Sequence, residues 1–107
     1  MSQYIPKQME TFFIVFLLKG PAWTMEKTPE LASLQESHLE YLYRLGQSGV
    51  LVLNGPLTDQ SMIRGVSVYK TETLEQARAL AEADPAVKAV RFTVEVHPWM
   101  VAAGILP

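Results

Sequence analysis

Two histidines and a scatter of carboxylates are the side chains in this sequence that could exchange protons near neutral pH. His38, inside ESHLEYL (Glu36 to Leu42), stands where a leucine would be easier to explain. Leu31, Leu34, His38, Leu42 and Leu45 follow the i, i+3, i+4, i+7 spacing of one helical face, so the imidazole points at the core. A backbone carbonyl or a buried water would make it a structural histidine. A carboxylate would make it a proton-transfer group. The candidate carboxylate is Asp84, in EADPAV. At the end of a helix its charge meets the negative end of the macrodipole, a placement costing roughly 0.3–1 kcal/mol that a nearby imidazolium offsets. Asp84 followed by Pro85 also has the form of an N-cap and first helical residue, so local sequence leaves two readings of Asp84 level.

If the two side chains meet, the carboxylate fixes one imidazole nitrogen as donor and leaves the other for a substrate proton. No nucleophile accompanies the pair. The chain has no cysteine, and neither Ser37 nor Ser61 lies in a GxSxG setting. No metal is expected, because His38 and His97 are far apart in sequence and form no HxH or HExxH spacing. His97, in VHPWM before a proline, is expected to be structural or exposed.

These groups need elements to position them. Residues 1 to 10 read as an irregular N-terminal arm, and a first strand is expected from Thr11 to Lys19, ending at Gly20-Pro21. Thr28 as N-cap, Pro29 in the first turn and Glu30 against the dipole open a helix that should run to about Ser48 and stop at Gly49. VLVLNGPL gives a second strand from Val50 to about Asn54, whose unbroken apolar run suggests burial on both faces. After the loop TDQSMIRG, Val66 to Lys70 alternates as a third strand. TLEQ from Thr73 is a capping-box pattern opening a second helix to about Ala83. Val90 to Val96 alternates as a half-buried last strand, followed by an apolar tail too short to span a membrane. Arg91, Thr93 and Glu95 on its polar side face solvent or a polar cavity.

The order βαββαβ predicts a ferredoxin-like α+β sandwich, a four-stranded antiparallel sheet with two helices on one face. At 107 residues the expectation is a single domain spanning residues 1–107. The first two strands carry apolar residues on both faces, and one such chain has no third layer to cover the open side. A homodimer packing sheet against sheet is therefore expected. Nine Lys and Arg against eleven Asp and Glu, a formal charge of −2, lack the basic footprint of a nucleic-acid binder. FFIVFLL (Phe12 to Leu18) is far shorter than the roughly 20 apolar residues of a membrane helix, and no cleavage site follows it. Neither nucleic acid nor membrane is an expected partner. Cytoplasmic is the default location.

SHLEYLYRLGQSGVLVLNGPL, ADPAV and VEVHPW, taken in this order, resemble the YciI-like (YCII-related) domain family over about residues 11 to 100. The resemblance implies a ferredoxin-like dimeric α+β barrel and a catalytic His–Asp pair at His38 and Asp84. It also implies a pocket beside them, with Asn54, Gly55, Pro56 and Arg64 as substrate-binding candidates and Asp59 near its mouth. One branch of the family resembles dehydrochlorinases of aromatic degradation. The insert PAWTMEKTPE departs from the family pattern and is placed to reshape the pocket. Gly55 and Pro56 are expected to make a tight corner.

The leading expectation is a cofactor-independent small-molecule enzyme of lyase, isomerase or dehalogenase type, using His38 as acid or base and Asp84 to orient it. A non-catalytic dimer that binds a metabolite or assists another protein is the alternative. A heme-free monooxygenase of the related barrel type comes third.

Overall fold

The computed structural model describes residues 8–106, so most of the expected N-terminal arm lies outside the described residues. Along the chain run β1 (Met9–Lys19), α1 (Pro29–Gln47), β2 (Leu51–Pro56), β3 (Ile63–Tyr69), α2 (Leu74–Glu82), α3 (Pro85–Lys88) and β4 (Phe92–Ala102). The strands form one antiparallel sheet in the order β2-β3-β1-β4. This is the α+β, ferredoxin-like arrangement expected from the sequence, with one additional short helix, α3. Among the described residues no helix is long and apolar enough to cross a membrane.

The helix boundaries follow their capping chemistry. Thr28 accepts a hydrogen bond from the Leu31 amide at 3.1 Å with Pro29 in the first turn, and α1 ends at Gly49 with φ +85°. Thr73 and Gln76 form both bonds of a capping box at the start of α2. The odd-numbered side of β1 buries Phe13, Val15 and Leu17 beneath the helices. Leu42 and Leu45 from α1 and Ala77 and Ala81 from α2 pack there with Tyr69 and Val96. Leu17, Ala86 and Phe92 form a second cluster toward one end of the sheet, flanked by Trp23, Leu34 and Val87.

Three expectations need correction. Strand β2 is an edge strand, not one buried on both faces: Leu51 is buried, but Leu53 is 57% exposed. Its unbroken apolar run reflects a bulge at Val52, since Leu51 and Leu53 face consecutive residues Tyr69 and Val68 of β3. Gly55 and Pro56 make no tight corner. They continue the ladder opposite Val66 and Gly65, and a side chain at Gly55 would meet nothing within 4 Å. Finally, the stretch read as a tail after Val96 is strand. β4 pairs with β1 from Lys19↔Phe92 to Met9↔Ala102, so Met9 and Glu10 join the sheet and His97 lies within β4 opposite Ile14.

A second bulge is set into β3. Leu17 and Leu18 of β1 pair with Gly65 and Ile63, leaving Arg64 as the extra residue. On the far side of the same end, α3 closes with the Val90 amide donating to Val87 and the Arg91 amide to Ala86. That is a Schellman closure, and it puts Val90 at φ +51°, a left-handed position usually taken by glycine. Gly20 packs directly on the Val90 carbonyl and its amide donates to Arg91 at 2.8 Å, so a larger residue there would displace the backbone that carries Arg91.

Candidate active site

His38 and Asp84 meet. His38 Nδ1 lies 2.6 Å from Asp84 Oδ2, and the two residues are 6% and 2% exposed. A carboxylate can only accept, so Nδ1–H donates. The distance is that of a charge-assisted bond. α1 brings His38 across the junction between α2 and α3, where the chain turns at Asp84. The other oxygen, Oδ1, accepts from the Ala86 amide at 2.9 Å and caps α3. The two readings of Asp84 that the sequence left level are thus both realised, one on each oxygen.

His38 Nε2 makes no hydrogen bond within the described residues, and no buried side-chain nitrogen or oxygen there lacks a partner. The atom is therefore open to a cleft of about 300 Å³ that His38 lines. α1 contributes Gln35, Leu39 and Leu42 to its walls. Asn54, Gly55 and Pro56 come from the end of β2, and Arg64, Gly65 and Ser67 from β3. Leu17, Trp23, Arg91 and Phe92 close the remaining side. His38, Asn54, Gly55, Pro56 and Arg64 thus share this cleft, with Asp84 directly behind His38. Asp59 is not among its lining residues. It lies on the exposed loop between β2 and β3, where its carboxylate accepts from Ser61.

Ser67, Trp23, Gln35 and Arg91 were not identified from the sequence. Gln35 was recoverable, being one turn before His38 on the same helical face. For Arg91 the alternation of the last strand decides only between solvent and a polar cavity. Trp23 sits in the insert 21–30 and forms part of the cleft wall. His97 is exposed and 3.4 Å from Glu95, away from the cleft. Among the described residues no cluster of His, Asp and Glu could hold a metal ion.

Two tyrosines near the pair keep their protons. Burial, and then the Asp84 charge, pushes the Tyr41 hydroxyl above the ordinary phenol range, with Arg44 pulling the other way. It donates to the Leu80 carbonyl at 2.6 Å. Burial chiefly, then Tyr41 and Asp84, pushes Tyr69 up further. Neither is available as a base near neutral pH. A raised folded-state value means that the protonated phenol is preferred in the fold. The resulting stability is fully present below about pH 10, where unfolded-chain tyrosine ionises, and is lost as pH rises toward the folded value. Tyr69→Phe should therefore flatten the alkaline loss of stability, measured as urea midpoints at about pH 8 and about pH 11. An unchanged pH slope in the variant would remove Tyr69 as its cause.

A sequence model described as YCII-related domain matches residues 12–100. Among solved structures, 5-chloro-2-hydroxyhydroquinone dehydrochlorinase from Burkholderia phenoliruptrix, in complex with 2,5-dihydroxybenzoquinone, is similar to this chain. The sequence identity is 24% and the TM-score 0.57, over 82% of this chain and 92% of that one. At that identity the likeness concerns the fold. No curated protein matches the sequence.

Proposed function

The chain belongs to the YCII-related domain family, and from that premise we propose that it is a cofactor-independent small-molecule enzyme whose chemical step is proton transfer by His38. One observation carries the reading: Asp84 occupies Nδ1 while Nε2 is left open on the cleft. With the tautomer held that way, Nε2 presents a lone pair to the substrate and can take a proton from it. In a lyase or dehalogenase step, the electron pair of the broken C–H or O–H bond forms a new π bond and the leaving group departs with its own pair. In an isomerisation the same proton returns at a different carbon. No protein nucleophile is required in either case.

Asn54, Gly55, Pro56 and Arg64 are the proposed substrate wall, with the Ser67 hydroxyl as a further polar contact on the cleft. The structural neighbour's substrate, a chlorinated hydroxyhydroquinone, makes halogenated and hydroxylated aromatics the first compounds to assay.

The proposal is tested on imidazole-labelled protein by nitrogen NMR together with turnover on such compounds. A proton on Nδ1 of His38, with an Nε2 signal that moves on ligand addition, supports it. A proton on Nε2 with Nδ1 bare would overturn it, since the dyad needs the opposite arrangement.

A homodimer and a cytoplasmic location belong to the same proposal, the latter resting on composition alone. The sheet face away from the helices carries Ile14, Phe16, Leu18 and Val66 half-buried, and Leu53 and Trp99 exposed. A second copy laid on that face would cover it. Sedimentation equilibrium at micromolar concentration should return about twice the 12.0 kDa chain mass. A stable monomer would count against the dimer.

A further inference from the structure

The cleft beside His38 gathers positive charge without any carboxylate to neutralise it. Arg64 and Arg91 both line it, and no Asp or Glu does. Neither guanidinium forms an ion pair within the described residues. Their only hydrogen bonds there are long ones to backbone carbonyls: Arg64 Nη1 to Asp59 and Ser61 at 3.4 and 3.2 Å, and Arg91 Nη1 to Thr24 at 3.3 Å. Lys19 joins them around one indole. Its Nζ lies 4.4 Å from the Trp23 ring, with the Arg64 and Arg91 carbons at 5.7 and 5.9 Å. Three cations around a single ring, in a chain whose formal charge is −2, are a local concentration that composition does not predict.

Both arginines are placed by departures from regular backbone. Arg64 is the extra residue of the bulge in β3, and Arg91 follows Val90, a β-branched residue held at φ +51°. Bulges re-aim side chains, and left-handed β-branched residues carry strain that the surrounding structure must hold. Both arginines line the same cleft as His38, and Arg91 shares Phe92 with it, the imidazole centroid and the guanidinium carbon each lying 5.8 Å from that ring.

We propose that the cleft takes a small organic anion with a flat conjugated body, its negative group held by Arg64 and Arg91, its plane against Trp23, and its reacting end at His38 Nε2. Guanidinium forks match carboxylate or phenolate oxygens in pairs, and the aromatic walls favour a planar body. The last clause rests on the proton-transfer reading, but the anion site does not.

The test measures binding, so it stands apart from turnover. Salicylate and its neutral counterpart salicylamide are titrated into the whole protein and followed by amide chemical shifts. Salicylate should bind at least about tenfold more tightly, with shifts at the residues around Trp23 and His38. Arg64→Gln and Arg91→Gln should each remove most of that preference. Arg64→Lys should keep part of it, because the charge stays while the fork is lost. Arg78→Gln, an exposed position on α2, should leave it intact. Thermal melts check that each variant is folded, and the salicylate preference should shrink with added salt. Equal binding of the two probes, no salicylate binding in the millimolar range, or a preference that survives the double variant Arg64→Gln/Arg91→Gln would overturn the proposal. A preference that depends on both arginines in a protein whose His38→Asn variant keeps full turnover would support the anion site and remove the dyad.

Discussion

His38→Asn is expected to lower turnover by about 10²–10⁴-fold while the protein stays folded. The asparagine amide is shorter than imidazole but can still donate toward Asp84, so the buried carboxylate keeps a donor nearby. What is lost is the proton-accepting nitrogen on the cleft. Binding of a substrate analogue should change little, because Arg64, Arg91 and Trp23 are untouched, so the loss should appear in kcat more than in KM. Asp84→Asn should lose less than His38→Asn. The imidazole remains in place, although its tautomer is no longer imposed by an anion. The decisive comparison is steady-state kinetics of the two variants on one identified substrate. If His38→Asn retained near-full activity, the proton-transfer reading would be abandoned and the cleft would be that of a binding protein.

The parts of this site that could be read from the sequence are those set by local rules. The stripe through Leu34, His38, Leu42 and Leu45 fixes which face of α1 is buried, and with it where His38 points. Thr28 and Thr73 announce two helix starts by cap chemistry alone, and both cap as written, whereas Asp84 before Pro85 offers a third start only as one of two level readings. The sequence left the structural and chemical readings of Asp84 level because it treats a side chain as having one partner. A carboxylate has two oxygens, and here Oδ1 serves α3 while Oδ2 serves His38.

What the sequence hid depends on pairing between strands. The bulges at Val52 and Arg64 are properties of register with β3 and β1, and neither residue type signals one. The same limit explains the missed length of β4. Pro98 reads as a strand breaker, yet it pairs opposite Phe13 near the middle of an eleven-residue strand at the sheet edge, where a missing donor is tolerated. Val90 at φ +51° had no signal either, because a glycine is the usual marker of that conformation. Alternation puts Arg91 on the polar side of the last strand, between solvent and cavity, and the turn at Val90 that places it on the cleft is invisible to that pattern.

Among the substitutions at the site, Asp84→Ala is expected to cost the most stability. It removes the cap of α3 and strands the Nδ1–H of a histidine that is 6% exposed. A lost N-cap costs about 0.5–2 kcal/mol and a buried unpaired donor about 1–3 kcal/mol, so roughly 2–4 kcal/mol together is expected. Against the roughly 5–15 kcal/mol of a typical domain this is a large share, and it should be visible as a lowered urea midpoint with an unchanged slope. Asp84→Asn should cost much less, because an amide oxygen can still accept from Ala86 while its NH₂ group faces Nδ1. That arrangement favours the other imidazole tautomer, with the proton on Nε2, which links the modest stability change to the activity loss argued above. The coupling can be isolated with His38→Leu. Alone, that change leaves Oδ2 buried without its donor, but added to Asp84→Ala it removes a stranded imidazole and replaces it with a residue that needs no partner. The double variant should therefore be more stable than the sum of the single costs allows, by about 0.5–3 kcal/mol. If Asp84→Ala lay within about 0.5 kcal/mol of the parent, as surface substitutions do, neither the cap nor the bond to His38 would contribute to the fold, and the pair could not be what holds the imidazole in position.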